Sequence, residues 1–76
     1  MPAEQPAWVH TRRELIGARI REAREQANLS QVELGNHVGV DHKTIHRIEY
    51  ATSDPGLGLL LQIARACGVA LAELVR

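Results

Sequence analysis

The sequence is poor in the residues that usually brace a small domain. Its 76 residues include no phenylalanine, one tryptophan, one tyrosine and one cysteine. A lone Cys67 excludes a disulfide framework within the chain. That cysteine usage fits a reducing compartment, and a cytoplasmic location is the expectation. Without phenylalanine, the core has to be aliphatic. No apolar run reaches the roughly 18 residues that suggest a membrane span. Met1 to His10 lack the apolar h-region of a secretory signal. An excess of charge is missing too, because nine basic residues balance nine acidic ones. A nucleic-acid binder usually carries a basic surplus, so the balance counts against one. Distribution has to decide instead. Arg12, Arg13, Arg19, Arg21 and Arg24 fall in the first third, and Lys43 and Arg47 in the middle.

What is present is helical punctuation. The length suffices for one small domain with a thin core. Residues 1–10 hold Pro2 and Pro6, show no periodicity and read as a flexible arm, leaving residues 11–76 as the folded domain. Trp8 in that arm suits docking onto the domain or a partner, or plain exposure. From Thr11 to Asn28, Ile16, Ile20, Ala23 and Ala27 recur at helical spacing. Asn28 can take the left-handed conformation that ends a helix. Ser30 and Glu33 form a capping box that opens a second helix, with Leu34 and Val38 inward and Gly39 at its end. Gly35 weakens that helix by about 1 kcal/mol relative to alanine, and a close backbone approach would justify it. Asp41 can cap a third helix with Ile45 and Ile48 on one face. Only three or four residues separate the second and third helices, the turn length of a helix-turn-helix. After "YATSDPG" a fourth helix is predicted over Leu57 to Cys67, with Leu60, Ala64 and Cys67 inward. A short fifth runs from about Ala70 to Val75, with Leu71 and Leu74 inward. Neither strand pattern nor internal repeat is visible, so the class is all-α.

The stretch "GVDHKTIHRIE", Gly39 to Glu49, concentrates the unusual chemistry. With Ile45 and Ile48 inward, His42, Lys43, His46 and Arg47 lie on or near the other face. His42 with His46, and Lys43 with Arg47, are pairs on adjacent turns. Lysine and arginine can donate to guanine O6 and N7, arginine in bidentate fashion. The amides at the start of the second helix, with the Gln31 side chain, suit a phosphate.

The segment from "RIREAREQANLSQVELG" through "VALAEL" resembles the helix-turn-helix domain of Cro/CI-type, XRE-like bacterial and phage repressors. The matching pieces are Arg24, "LSQ" with "EL" after it, "GV", Ile45, "IE", Pro55, "IA" and "GV…L…EL", covering about residues 15–75. The resemblance implies a compact, five-helix, lambda-repressor-like domain whose third helix lies in the DNA major groove. It assigns base reading to His42, Lys43 and Arg47. Gln31 would clamp the phosphate backbone. Thr44 and His46 would flank it, and Tyr50, Thr52 and Ser53 would offer hydroxyls to it. Arg24 and Glu49, each beside an apolar stripe, would pair in a buried salt bridge. The implied partner is double-stranded DNA, as a pseudo-palindromic operator held by a homodimer. The sequence departs from the family pattern at Tyr50-Ala51, where a residue followed by glycine is usual, and at Gly35, where alanine is usual. Asp41 would repel phosphate unless it caps the third helix.

Blander readings stand beside these. Arg12, Arg13, Arg19 and Arg21 read as a solvated helix face, with Glu14, Glu22 and Glu25 among them. His42 and His46 alone make an incomplete metal site, so neither metal nor cofactor is expected. Cys67 reads as a small core residue. No nucleophile–base pair or paired-carboxylate site is present, so no enzyme is implied. The favoured function is sequence-specific DNA binding by a small transcriptional regulator. The rivals are a protein-interaction module, such as an antitoxin or anti-regulator, and a metal or redox switch through His42, His46 and Cys67.

Overall fold

A computed structural model of the chain describes residues 5–76. Five helices follow one another: α1 Ala7–Gln26, α2 Gln31–Val38, α3 His42–Glu49, α4 Leu57–Cys67 and α5 Leu71–Val75. No strand is present among the described residues.

Helix α1 starts at Ala7, four residues before the expected Thr11. Pro6 occupies its N-cap with φ −57°, and the Pro6 carbonyl accepts from Val9 N at 3.0 Å. Proline lacks only a donor that the first turn leaves unused, so it admits the helix rather than barring it. The expected arm of residues 1–10 is therefore helical from Ala7 to His10, and Trp8 sits on that turn, 68% exposed. Residues 1–4 lie outside the described part.

The core is aliphatic. Its largest fully buried side chains are Ile20, Leu34, Ile45, Ile63 and Leu74, one from each helix. Each such burial stabilises the fold by roughly 1.5–3 kcal/mol. The expected inward residues of α4 need one correction. Ala64 and Cys67 are buried, but Leu60 only partly so, and Ile63 is the residue of α4 with no exposure at all.

Helices α1 to α4 stop in the same way. A residue with positive φ follows each, at Asn28 (59°), Gly39 (80°), Ala51 (60°) and Gly68 (74°). The next amide then bonds back to a carbonyl of the last helical turn: Leu29 to Arg24, Val40 to Gly35, Thr52 to Arg47 and Val69 to Ala64. These are Schellman closures. Asn28 does take the left-handed exit. So does Ala51, in place of the usual glycine, and its methyl group is buried.

Two glycines let backbones touch. A Cβ on Gly35 would lie 2.4 Å from the Val40 carbonyl oxygen, so α2 folds tightly over the turn that follows it. A Cβ on Gly17 would lie 2.4 Å from the Glu49 carbonyl oxygen and 2.8 Å from that of Ile48. Helix α1 thus rests directly on the end of α3.

Candidate nucleic-acid interface

Helices α2 and α3 are joined by residues 39–41. The capping box that opens α2 is complete: Glu33 N donates to Ser30 Oγ at 3.0 Å and Ser30 N donates to Glu33 Oε1 at 2.9 Å. The Ser30 amide, with the Ser30 side chain adding to it, holds the Glu33 carboxyl below its usual range. Asp41 caps α3 by accepting from Thr44 N at 2.8 Å, which likewise lowers its pKa. Its carboxylate is thereby committed to the helix end.

Helix α3 has two unlike faces. Ile45, Ile48 and Glu49 are buried. His42, Lys43, His46 and Arg47 are exposed. Among the described residues, the side chains of His42, Lys43 and Arg47 make no hydrogen bond and no ion pair within 4 Å, so their donors face solvent. Lys43 and Arg47 lie one turn apart there, and α3 has no acidic residue in its first turn.

The buried Glu49 is the hub behind this face. Arg24 Nε donates to Glu49 Oε2 at 2.6 Å and Arg24 NH2 donates to Glu49 Oε1 at 3.1 Å. The remaining Arg24 nitrogen donates to the Leu29 carbonyl at 2.9 Å. The hydrogen bond to Glu49 holds the guanidinium proton more tightly than usual, against the burial that opposes it. Gln31, in the first turn of α2, donates its amide to Glu49 Oε1 at 3.2 Å and lies 3.5 Å from His46 Nδ1. Gln31 is thus anchored from behind. Of the two hydrogens on that amide nitrogen, one goes to Glu49 and the other faces His46.

Other expected contacts divide. His46 is exposed but stacks on Tyr50, ring centroids 4.5 Å apart. Tyr50 is half exposed. Thr44 and Ser53 are half buried. The Thr52 hydroxyl turns back to the Arg47 carbonyl at 3.4 Å, closing the exit of α3.

The arginines of α1 are not a plain solvated face. Arg12 donates to the Val75 and Arg76 carbonyls at 3.0 and 2.6 Å, and Arg19 donates to that of Arg76. Cations at a helix C-terminus offset its partial negative charge. Arg13 NH2 reaches the Ala51 carbonyl at 3.4 Å, and Arg21 lies over the Tyr50 ring. Only the long-range fold brings these groups together. Cys67 is buried, and burial raises its thiol pKa, so it cannot join the exposed His42 and His46. No three potential metal ligands meet among the described residues, and no helix there is long and apolar enough to cross a membrane.

Known proteins show the same arrangement. The model of the helix-turn-helix domain family matches residues 15–76. An HTH-type transcriptional regulator of Sinorhizobium fredii is 39% identical over 54 residues, 71% of this chain and 38% of that protein. The cryptic phage CTXphi transcriptional repressor RstR of Vibrio cholerae is 34% identical over 61 residues, 80% of this chain and 55% of that protein. This chain therefore spans only about a third to a half of those relatives' length. The P22 c2 repressor, crystallised with a synthetic operator, superposes with a TM-score of 0.76 at 31% identity, covering 82% of this chain and 94% of that one. With its all-α fold and short turn between α2 and α3, the chain belongs to the helix-turn-helix domain family, of the Cro/CI-type, lambda-repressor-like kind.

Proposed function

We propose that this chain binds a specific double-stranded DNA sequence as the DNA-binding unit of a transcriptional regulator, with α3 in the major groove. The observation that carries the reading is the division of α3. Its inner face is fixed by two isoleucines and a buried carboxylate, while His42, Lys43 and Arg47 stand free on the outside. Such side chains, held on a rigid helix and uncommitted, suit base edges. His42, Lys43 and Arg47 read bases. Gln31, Thr44, His46, Tyr50, Thr52 and Ser53 contact the phosphate backbone. Net neutrality does not oppose this, because the local charge decides: α3 carries Lys43 and Arg47 outward, and its one acid, Glu49, is buried against Arg24. The P22 c2 repressor was crystallised with operator DNA, and RstR is named a repressor, which supports the same role here.

One helix reads only a few base pairs. Two copies on a pseudo-palindrome, with half-sites about 34 Å apart, supply a longer site. The test is selection of bound sequences from a random duplex pool, followed by footprinting. Enrichment of a symmetric sequence with both halves protected supports the reading. Recovery of no preferred sequence would overturn it, and a footprint over one half-site at saturation would sink the two-copy model alone.

A further inference from the structure

We propose that Arg21, which lies outside the helix-turn-helix, is a positioning residue for DNA binding. From α1 it holds Tyr50 against His46 and so sets where those two side chains meet the duplex. The proposal rests on the reading of α3 as the DNA-reading helix.

A chain of contacts carries it. The Arg21 guanidinium carbon lies 5.2 Å from the centroid of the Tyr50 ring. The Tyr50 ring in turn lies 4.5 Å from that of His46, tilted by 34°. On the other side, the Gln31 amide lies 3.5 Å from His46 Nδ1 and 3.2 Å from Glu49 Oε1, which Arg24 holds. The contacts leave α1 at Arg24, cross α3 and α2, and return to α1 at Arg21, one turn earlier. His46 is thus gripped from both sides although it is exposed.

The physical role follows from exposure. Tyr50 is 50% exposed and follows the last residue of α3. A half-exposed ring at the end of a helix can turn between staggered rotamers unless a neighbour fixes it. A cation over the ring face does so, and Arg21 is uncommitted to any carboxylate within 4 Å among the described residues. Loss of Arg21 therefore frees the Tyr50 ring and leaves His46 held on the Gln31 side alone, without removing a core contact.

The experiment uses the full chain with Arg21→Gln, Arg21→Lys, Tyr50→Ala and the Arg21→Gln/Tyr50→Ala double variant. Proton NMR of the free protein follows the His46 ring resonances, which sense the stacked tyrosine. Arg21→Gln should move them toward their positions in Tyr50→Ala, and Arg21→Lys should leave them near wild type. Affinity for the selected duplex should fall about two- to fivefold in Arg21→Gln, the range of an exposed cation–π contact. The double variant should bind no more weakly than Tyr50→Ala. Unmoved His46 resonances in Arg21→Gln would overturn the proposal. So would losses that add in the double variant, since Arg21 would then touch phosphate by itself. Failure of the wild type to prefer any duplex would instead overturn the DNA reading, a result distinct from both.

Discussion

Arg24 and Glu49 join α1 to α3 through two hydrogen bonds, 2.6 and 3.1 Å long, around a glutamate side chain with no solvent exposure. A buried charge that loses its partner costs about 3–5 kcal/mol. Arg24→Ala should destabilise the domain by that order. Arg12→Ala removes only exposed hydrogen bonds to carbonyls and should cost about 1 kcal/mol. Denaturant melts of the two variants check this, and equal shifts would count against the pair as the tie between the helices.

The approach of α1 to α3 predicts opposite signs at two glycines. Alanine in a helix interior gains about 1 kcal/mol over glycine. At Gly17 the new methyl would meet backbone oxygens at 2.4 and 2.8 Å. Overpacking of this kind costs about 1–3 kcal/mol, so Gly17→Ala should be destabilised on balance. A Cβ on Gly58 meets nothing within 4 Å, so Gly58→Ala should be neutral or more stable. Thermal melts give both signs directly.

Reading and anchoring should separate in binding. Arg47→Ala should lose about 1–3 kcal/mol and relax preference at one base pair. Gln31→Ala should weaken binding almost uniformly across sequences, with the preferred site unchanged. Gln31 is neutral, so the salt slope should barely move, whereas Lys43 or Arg47 variants lower it wherever they neutralise phosphate. Single-base variants of the selected duplex, titrated at two salt concentrations, make the comparison. Wild-type preference at every position in Arg47→Ala would remove α3 from its role as reader.

Acid should loosen the helix-turn-helix at its caps. The Glu33 and Asp41 carboxyls are held below their ordinary values by hydrogen bonds to Ser30 and Thr44. Their folded-state pKa values lie below the unfolded ones. Their contribution is therefore complete above the ordinary carboxylate range, about pH 4, and fades as pH falls through the lowered values. Glu33→Gln and Asp41→Asn should each flatten the acid limb of a stability-against-pH curve. Curves parallel to wild type would show that the caps do not titrate with folding.

The legible parts of this protein were those set by local rules. The capping box, the Asp41 cap, the left-handed Asn28 and the inward isoleucines of α3 follow from spacing and residue chemistry alone. The Arg24–Glu49 pair came from family resemblance rather than from periodicity. A glycine inside the short α2 points to the close approach at Gly35, whereas nothing local marks the one at Gly17. The burial of Ile63 is not legible because Leu57, Leu59, Leu60, Leu61 and Ile63 make α4 apolar nearly all round, so spacing cannot select the inward side. The start of α1 at Ala7 is not legible because residues 7–10 carry no apolar periodicity, and only Pro6 at the N-cap marks it. The contact of Arg21 with Tyr50, and those of Arg12 and Arg19 with the end of α5, join residues far apart in sequence, and no local pattern announces them.

The freedom of His42, Lys43 and Arg47 from internal contacts bears on how such a domain can change over time. Exchanging any of the three disturbs neither the core nor the tie to α1, so if they read bases as proposed, sequence preference can drift at little cost in stability. His46 does not share that freedom, because its ring is held between Gln31 and Tyr50. Retargeting by substitution should therefore proceed through those three positions, while position 46 changes only together with its neighbours.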